Sequence, residues 1–190
     1  MKTDPPANRR AARLVLAAAL LLMLPLLAMQ VTEHVQWDLA DFVVAGALLV
    51  GTGVMYELAA RKAANTAYRA AVGIALAGAL ILVWLNLAVG LIGTEDDRAN
   101  LMYVGVLAVG IIGAALARFR PHGMARALFA TALAQALVGV IALIYGLGAP
   151  VSGALELLAL NGFFVALFVG SALSFRYAAR EHTPTSAGLG

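Results

Sequence analysis

Residues 69–93 read RAAVGIALAGALILVWLNLAVGLIG. After Arg69 the stretch has no charged side chain, and it exceeds the roughly 20 apolar residues that a helix needs to cross a bilayer. Inside lipid the backbone must satisfy its own N–H and C=O groups, which a single segment does only as an α-helix. The stretch therefore predicts a transmembrane helix with a basic end.

The composition extends this prediction to the whole chain. Of its 190 residues, 63% are hydrophobic and 12% are charged, against about 25% charged residues in a typical soluble domain. We therefore predict an all-α, polytopic membrane bundle of six transmembrane helices, forming one domain over residues 1–190 in the lipid bilayer. The six apolar runs are about 14–29, 39–60, 70–92, 101–119, 125–147 and 154–177. The first run follows a basic tail but has no clear cleavage site, so we expect a retained helix and not a signal peptide.

The basic residues predict the orientation. Twelve of the 13 lie on one side of a six-helix topology, and only Arg98 lies on the other. The positive-inside rule places that side in the cytoplasm, with both termini as short cytoplasmic tails in a bacterial inner (cytoplasmic) membrane. Short basic clusters at the ends of apolar runs do not indicate a nucleic-acid surface. The twelve are Lys2, Arg9, Arg10, Arg13, Arg61, Lys62, Arg69, Arg118, Arg120, Arg126, Arg176 and Arg180.

The sequence contains a weak internal repeat. Predicted helices two and three match helices four and five at a shift of roughly 57 to 59 residues, which aligns Asp41 with Asn100 and Arg61 with Arg120. The two helical hairpins would be parallel repeats about an axis along the membrane normal. Chance matches in an Ala/Gly/Leu-rich chain are the alternative.

Small residues recur every fourth position on the predicted last helix. Small side chains let transmembrane helices approach closely, because lipid supplies no hydrophobic force between helices. Packing within the bundle and a seam with a homo-oligomer or another membrane protein are both open interpretations. This helix-packing ridge comprises Gly162, Ala166, Gly170 and Ser174.

Polar residues concentrate on the predicted outer side. Seven of the ten acidic residues lie there, Glu33 among them, together with His34. One interpretation is helix capping plus a solvated acidic rim. The other is an outward-facing carboxylate cluster that gathers cations, protons or a basic partner. Within the membrane, Asn86 and Asn161 should reach similar depths, and Gln135 lies near the centre of helix five. These amides should face one another through interhelical hydrogen bonds, or they should face a water-filled pocket that forms the floor of an outward-open cavity. The candidate outer cavity comprises Asp38, Asp41, Trp84, Asn86, Glu156 and Asn161.

The sequence offers no set of catalytic residues. It has no cysteine, and its histidines, His34, His122 and His182, are too scattered to form a haem or metal site. No acidic residue lies at mid-bilayer, which disfavours a proton- or sodium-coupled pump. We therefore predict no catalytic residue, no cofactor and no metal, and we favour a protein that is not an enzyme.

Three stretches resemble a known kind of protein. They are TAYRAAVGIALAGALILVWLNLAVGLIG at 66–93, GMARALFATALAQALV at 123–138 and WDLADFVVAG at 37–46. They resemble a family of small, uncharacterised bacterial multi-pass inner-membrane proteins. The resemblance implies a multi-pass membrane protein and no assigned activity.

Three functions from different classes are compatible with these residues. The first is an accessory, structural or partner-binding membrane subunit, favoured by the ridge. The second is a passive channel or small-solute permease with an acidic outward-facing vestibule. The third, which has the least support, is a membrane enzyme acting on a lipid or quinone, since carboxylates alone can serve as acid and base.

Overall fold

The computed structural model describes residues 7–31, 37–61 and 65–180, and within these ranges the regular elements are helices, with no strand. The chain divides into two compact units, Met1–Leu58 and Ala59–Gly190, and each is described by itself. Residues 1–6 and 181–190 of the predicted tails lie outside the described residues, as do Glu33, His34 and Lys62.

The first unit contains α1 (Ala7–Val31) and most of α2 (Leu39–Arg61). Pro25 lies inside α1, which continues through it. The two helices contact each other across glycines of α2, since a Cβ built on Gly53 would lie 2.8 Å from Leu14 Cδ2. The prediction placed the start of α1 at residue 14, whereas the helix begins at Ala7 and includes the basic residues before the apolar run.

The second unit contains four long helices: α3 (Thr66–Ala88), α4 (Met102–Ala117), α5 (Pro121–Ile144) and α6 (Ala154–Arg180). A 3₁₀ turn, Arg98–Leu101, leads into α4. α5 packs against α4 on one side and α6 on the other, while α3 packs against the remaining side of α6. The buried core therefore runs through α5 and α6, which carry most of the fully buried side chains of the unit.

Small residues set the spacing of α4 and α5. A Cβ on Gly113 would lie 2.7 Å from Ala127 Cβ, and one on Gly110 would lie 3.2 Å from Thr131 Oγ1. Because real Cβ atoms do not approach as closely as 2.7 Å, position 113 accepts only glycine without a shift of its surroundings, and a side chain at 110 would require Thr131 to move slightly. Close backbone approach of this kind is how helices associate where no hydrophobic force acts between them.

The predicted helix at 70–92 is shifted by four residues, and local caps explain the difference. Asn65 Oδ1 accepts from Tyr68 N and starts α3 early, as a side-chain N-cap does. At the other end Gly90 has φ +72°, a left-handed conformation that favours glycine and ends the helical path. Likewise α5 begins at Pro121, a residue pre-organised for the first helical position.

Six helical segments of the described chain are long and apolar enough to cross a membrane, and the 3₁₀ turn together with α4 forms one of them. The protein is thus an all-helical chain with the architecture of a multi-pass membrane protein. The single domain, the orientation and the repeat remain predictions.

Candidate functional site

Three polar side chains from three helices meet in the interior of the second unit. Tyr103 of α4 is 1% exposed, Gln135 of α5 is 0% and Asn161 of α6 is 4%. Asn161 Oδ1 accepts from the Tyr103 hydroxyl at 3.2 Å and from Gln135 Nε2 at 3.0 Å. Asn161 Nδ2 donates to the backbone oxygen of Leu157, one turn earlier, at 2.9 Å. These three side chains are called the amide cluster below.

A glycine on α5 makes room for the cluster. A Cβ on Gly139 would lie 3.0 Å from Asn161 Cβ and 3.1 Å from its Cγ. Gly139 is one turn beyond Gln135, so the same face of α5 supplies both the space and the hydrogen-bond donor. Asn161 can therefore reach Gln135 because position 139 of α5, one turn after Gln135, carries no side chain.

The sequence predicted that the membrane amides Asn86, Gln135 and Asn161 face one another through interhelical hydrogen bonds or face a water-filled pocket. The structure shows the interhelical bond from Gln135 to Asn161, adds Tyr103 as a second donor, and leaves Asn86 outside this set. Asn86 on α3 is half-buried, and its Oδ1 atom is buried without a hydrogen-bond partner in the described chain. The same is true of Gln135 Oε1.

The remaining residues of the predicted cavity divide between the two units. In the second unit Trp84 is half-buried and Glu156 is exposed in the first turn of α6, where a negative charge suits the helix dipole. In the first unit Asp38 and Asp41 are exposed at the start of α2. A cavity lined by all six residues remains a prediction, because each unit is described by itself.

Asp38 and Asp41 have a local structural role. Asp38 Oδ1 accepts from the backbone N–H of Asp41, and Asp41 Oδ2 accepts from the backbone N–H of Asp38, both at 2.9 Å. This reciprocal pair is a capping box, here with two aspartates. The capping interpretation of this acidic pair therefore has direct support.

Sequence reasoning missed the side chain that organises the α3–α4 loop. Asn100 is 4% exposed, and its Oδ1 accepts from Leu91 N and Ile92 N, both at 3.0 Å. Its Nδ2 donates to Ile92 O at 3.1 Å and Thr94 O at 2.7 Å. One side chain thus satisfies four backbone groups of the loop. The signal available in the sequence was a pair of glycines, Gly90 and Gly93, in the same loop segment as Asn100.

The α3–α4 loop also contacts the α5–α6 loop. The backbone N–H of Gly93 donates to Ser152 Oγ at 2.9 Å. A Cβ on Gly148, which has φ +82°, would lie 2.6 Å from Gly93 N. The two loops therefore close the same end of the second unit, which is its predicted outer end.

The opposite end of the unit holds a second set of interhelical bonds that sequence reasoning missed. The hydroxyl of Tyr68 donates to Phe119 O at 2.7 Å, and Asn65 Nδ2 donates to Ala178 O at 3.3 Å. Further inside, the fully buried Ser171 donates to Ala71 O at 2.7 Å. These bonds tie α3 to α6 and to the α4–α5 turn, and no local spacing in the sequence indicates them.

The helix-packing ridge lies on a face of α6 that its own unit leaves uncovered. Gly162 and Ala166 are exposed, and Gly170 and Ser174 are half-buried. Within the second unit, a Cβ on Gly162 or Gly170 would meet no atom within 4 Å. Packing of the ridge against other helices of this unit, one of the two interpretations left open by the sequence, is therefore not seen within the unit.

The described residues contain no group of three or more His, Cys, Asp or Glu side chains placed to hold a metal ion. In comparisons with known proteins, no family model, no curated protein and no solved structure matches the chain. The resemblance to small bacterial inner-membrane proteins stays an interpretation of the sequence.

Proposed function

We propose that this protein is an accessory or structural membrane subunit in a bacterial inner membrane. It binds a second copy of itself or another membrane protein through α6. The amide cluster is the observation that carries the proposal. In a transport pathway we expect polar side chains that face a passage. Here the hydroxyl of Tyr103 and the amide of Gln135 both turn to Asn161 in the packed interior.

The interior of the second unit has the features of a rigid scaffold. The two bonds between side chains of the cluster cross between helices, and a buried polar group without a partner is costly. A Cβ on Gly139 would lie only 3.0 Å from Asn161 Cβ, so α5 and α6 approach closely beside these bonds. A solute route along this interior would have to open the cluster.

The ridge on α6 supplies the partner face. Small residues on an uncovered transmembrane face allow another backbone to approach closely, where van der Waals packing holds helices together in lipid. Gly162 and Gly170 have open space in their own unit, so a partner helix fits there without displacing a side chain.

The orientation and the repeat belong to the same proposal. The basic residues support cytoplasmic termini by the positive-inside rule. For the parallel repeat, the support is the aligned pairs Asp41 with Asn100 and Arg61 with Arg120. Both aligned polar residues act at helix starts, Asp41 in a capping box and Asn100 in the turn before α4.

The proposal is tested by the assembly state of the full chain in mild detergent and in nanodiscs. We expect a stoichiometric oligomer or a co-purifying membrane protein, lost when Gly162→Leu and Gly170→Leu are combined. Gly105→Leu is the matched control, because a Cβ at Gly105 of α4 also meets nothing within 4 Å, and it should keep the assembly. A wild-type chain that is strictly monomeric without a co-purifying protein contradicts the proposal.

A passive small-solute permease is the second candidate. The buried, unpartnered oxygens of Asn86 and Gln135 favour it, because such acceptors can take hydrogen bonds from a passing solute. Flux of small polar solutes into proteoliposomes should then change in Asn161→Leu. A wild-type flux equal to that of Asn161→Leu and to that of protein-free vesicles rejects the permease.

A further inference from the structure

The amide cluster has a fixed hydrogen-bond polarity. Asn161 Nδ2 is engaged by Leu157 O, so Asn161 Oδ1 must be the acceptor in the interior. Tyr103 can approach that oxygen only as a donor, and Gln135 must present Nε2 to it. Gln135 Oε1 is consequently turned away from Asn161, and no donor of the described chain reaches it. Flipping the Gln135 amide would place two carbonyl oxygens against each other.

A second acceptor lies at a similar depth. Ser171 bonds Ala71 O, and a Cβ on Gly78 would lie 3.6 Å from Leu167 Cβ, which fixes the antiparallel register of α3 and α6. From that contact, Asn86 is about 12 Å along α3 and Asn161 is about 9 Å along α6, at 1.5 Å per residue. The same count from the Ala71–Ser171 contact gives about 22 Å and about 15 Å, so the buried Oδ1 of Asn86 lies within about one and a half helical turns of the level of the cluster.

The chemistry of these two oxygens indicates which kind of molecule could bind to them. Both are carbonyl acceptors, so they need a donor. A cation would stay uncompensated, because α3, α4 and α5 contain no acidic residue and Glu156, the acid of α6, is exposed. Hard cations also require about six or more oxygen ligands. An uncharged O–H group can donate to such an oxygen, and it needs neither a compensating charge nor several oxygen ligands.

We propose that Gln135 Oε1 accepts a hydrogen bond from the hydroxyl of an uncharged molecule bound inside the second unit. Two sources share this chemistry: a buried water, which typically makes about three hydrogen bonds to otherwise unsatisfied polar groups, and the hydroxyl of a lipid or quinol. The site is independent of the assembly proposed for α6, because it depends only on groups inside the bundle.

The test uses the side-chain carbonyl of Gln135 as its own reporter. The glutamines of the sequence are Gln30, Gln36 and Gln135, so Gln30→Asn with Gln36→Asn leaves one. This chain, labelled with ¹³C at the glutamine side-chain carbonyl, is placed in nanodiscs for infrared spectroscopy. We expect the carbonyl band at the lower frequency of a hydrogen-bonded amide, as for propionamide in water. A band at the frequency of propionamide in an apolar solvent overturns the proposal.

Mass spectrometry of lipid extracted from the purified full chain then distinguishes the two sources. One lipid or quinol per chain in wild type, lost in Gln135→Met, identifies a membrane hydroxyl as the donor. The low-frequency band without such a molecule identifies water. The band is measured in a chain that keeps the whole cluster, so the test does not depend on whether Gln135→Met folds.

Discussion

Replacing Asn161 with leucine should destabilise the second unit more than any other single change in the amide cluster. The substitution keeps a branched side chain of similar size against Gly139, but it removes the acceptor that Tyr103 and Gln135 share. Two interhelical hydrogen bonds at about 0.6 kcal/mol each give a loss of about 1.2 kcal/mol. The hydroxyl and the amide left without a partner raise the loss toward about 3 kcal/mol.

The assay is unfolding by SDS titration from mixed micelles, followed by tryptophan fluorescence. Tyr103→Phe alone removes one bond of 3.2 Å and should cost about 0.6 kcal/mol. In the double-mutant cycle of Tyr103→Phe with Asn161→Leu, we expect a coupling of about 0.5 kcal/mol or more. Ser171 lies ten residues along α6, about 15 Å away, so Tyr103→Phe with Ser171→Ala should be additive. Additivity in both cycles would refute the hydrogen-bonded cluster.

The remaining predictions concern three other contacts. Asn100→Asp keeps the accepting oxygen but replaces the donor to two backbone carbonyls, so the α3–α4 loop should become cleavable by protease and the unfolding free energy should fall by about 2 kcal/mol. Gly113→Ala should lower the thermal midpoint, because its Cβ would lie 2.7 Å from another Cβ, whereas Gly170→Ala should leave the monomer unchanged or more stable by up to about 1 kcal/mol. Ser171→Ala removes a hydrogen bond between helices and should lower the unfolding free energy by about 0.6 kcal/mol. Ser174→Ala removes a hydrogen bond within its own helix and should lower it by less. Equal losses of unfolding free energy would contradict the interhelical role of Ser171.

The helices were largely predictable because lipid imposes one requirement on every span. An apolar run of about 20 residues must form a helix whatever surrounds it, so the number of spans follows from composition. The ends of α3 were misplaced because they depend on particular caps: the Asn65 side chain at one end and the left-handed Gly90 at the other. Both residues can be read from the sequence, but a prediction based on the length of apolar runs does not take caps into account.

The interior contacts were less predictable for a physical reason. The need of Gln135 and Asn161 for partners follows from the cost of burying an amide. Their pairing depends on the rotation of α5 against α6, which Gly139 sets through a contact between helices. In the sequence Tyr103 is part of an apolar run. Its hydroxyl finds the acceptor Asn161 only once α4 packs against its neighbours in the fold. Such partners are long-range properties of the fold.

The most direct test of a six-span membrane protein with cytoplasmic termini is the accessibility of single cysteines at the two ends of α4. The chain has no cysteine of its own, so Glu95→Cys and His122→Cys, both at exposed positions, need no background changes. A membrane-impermeant maleimide should label Glu95→Cys in intact spheroplasts, and His122→Cys only after the membrane is permeabilised. Labelling of both positions in intact spheroplasts, labelling in the reverse order, or recovery of the chain in the soluble fraction would contradict the account.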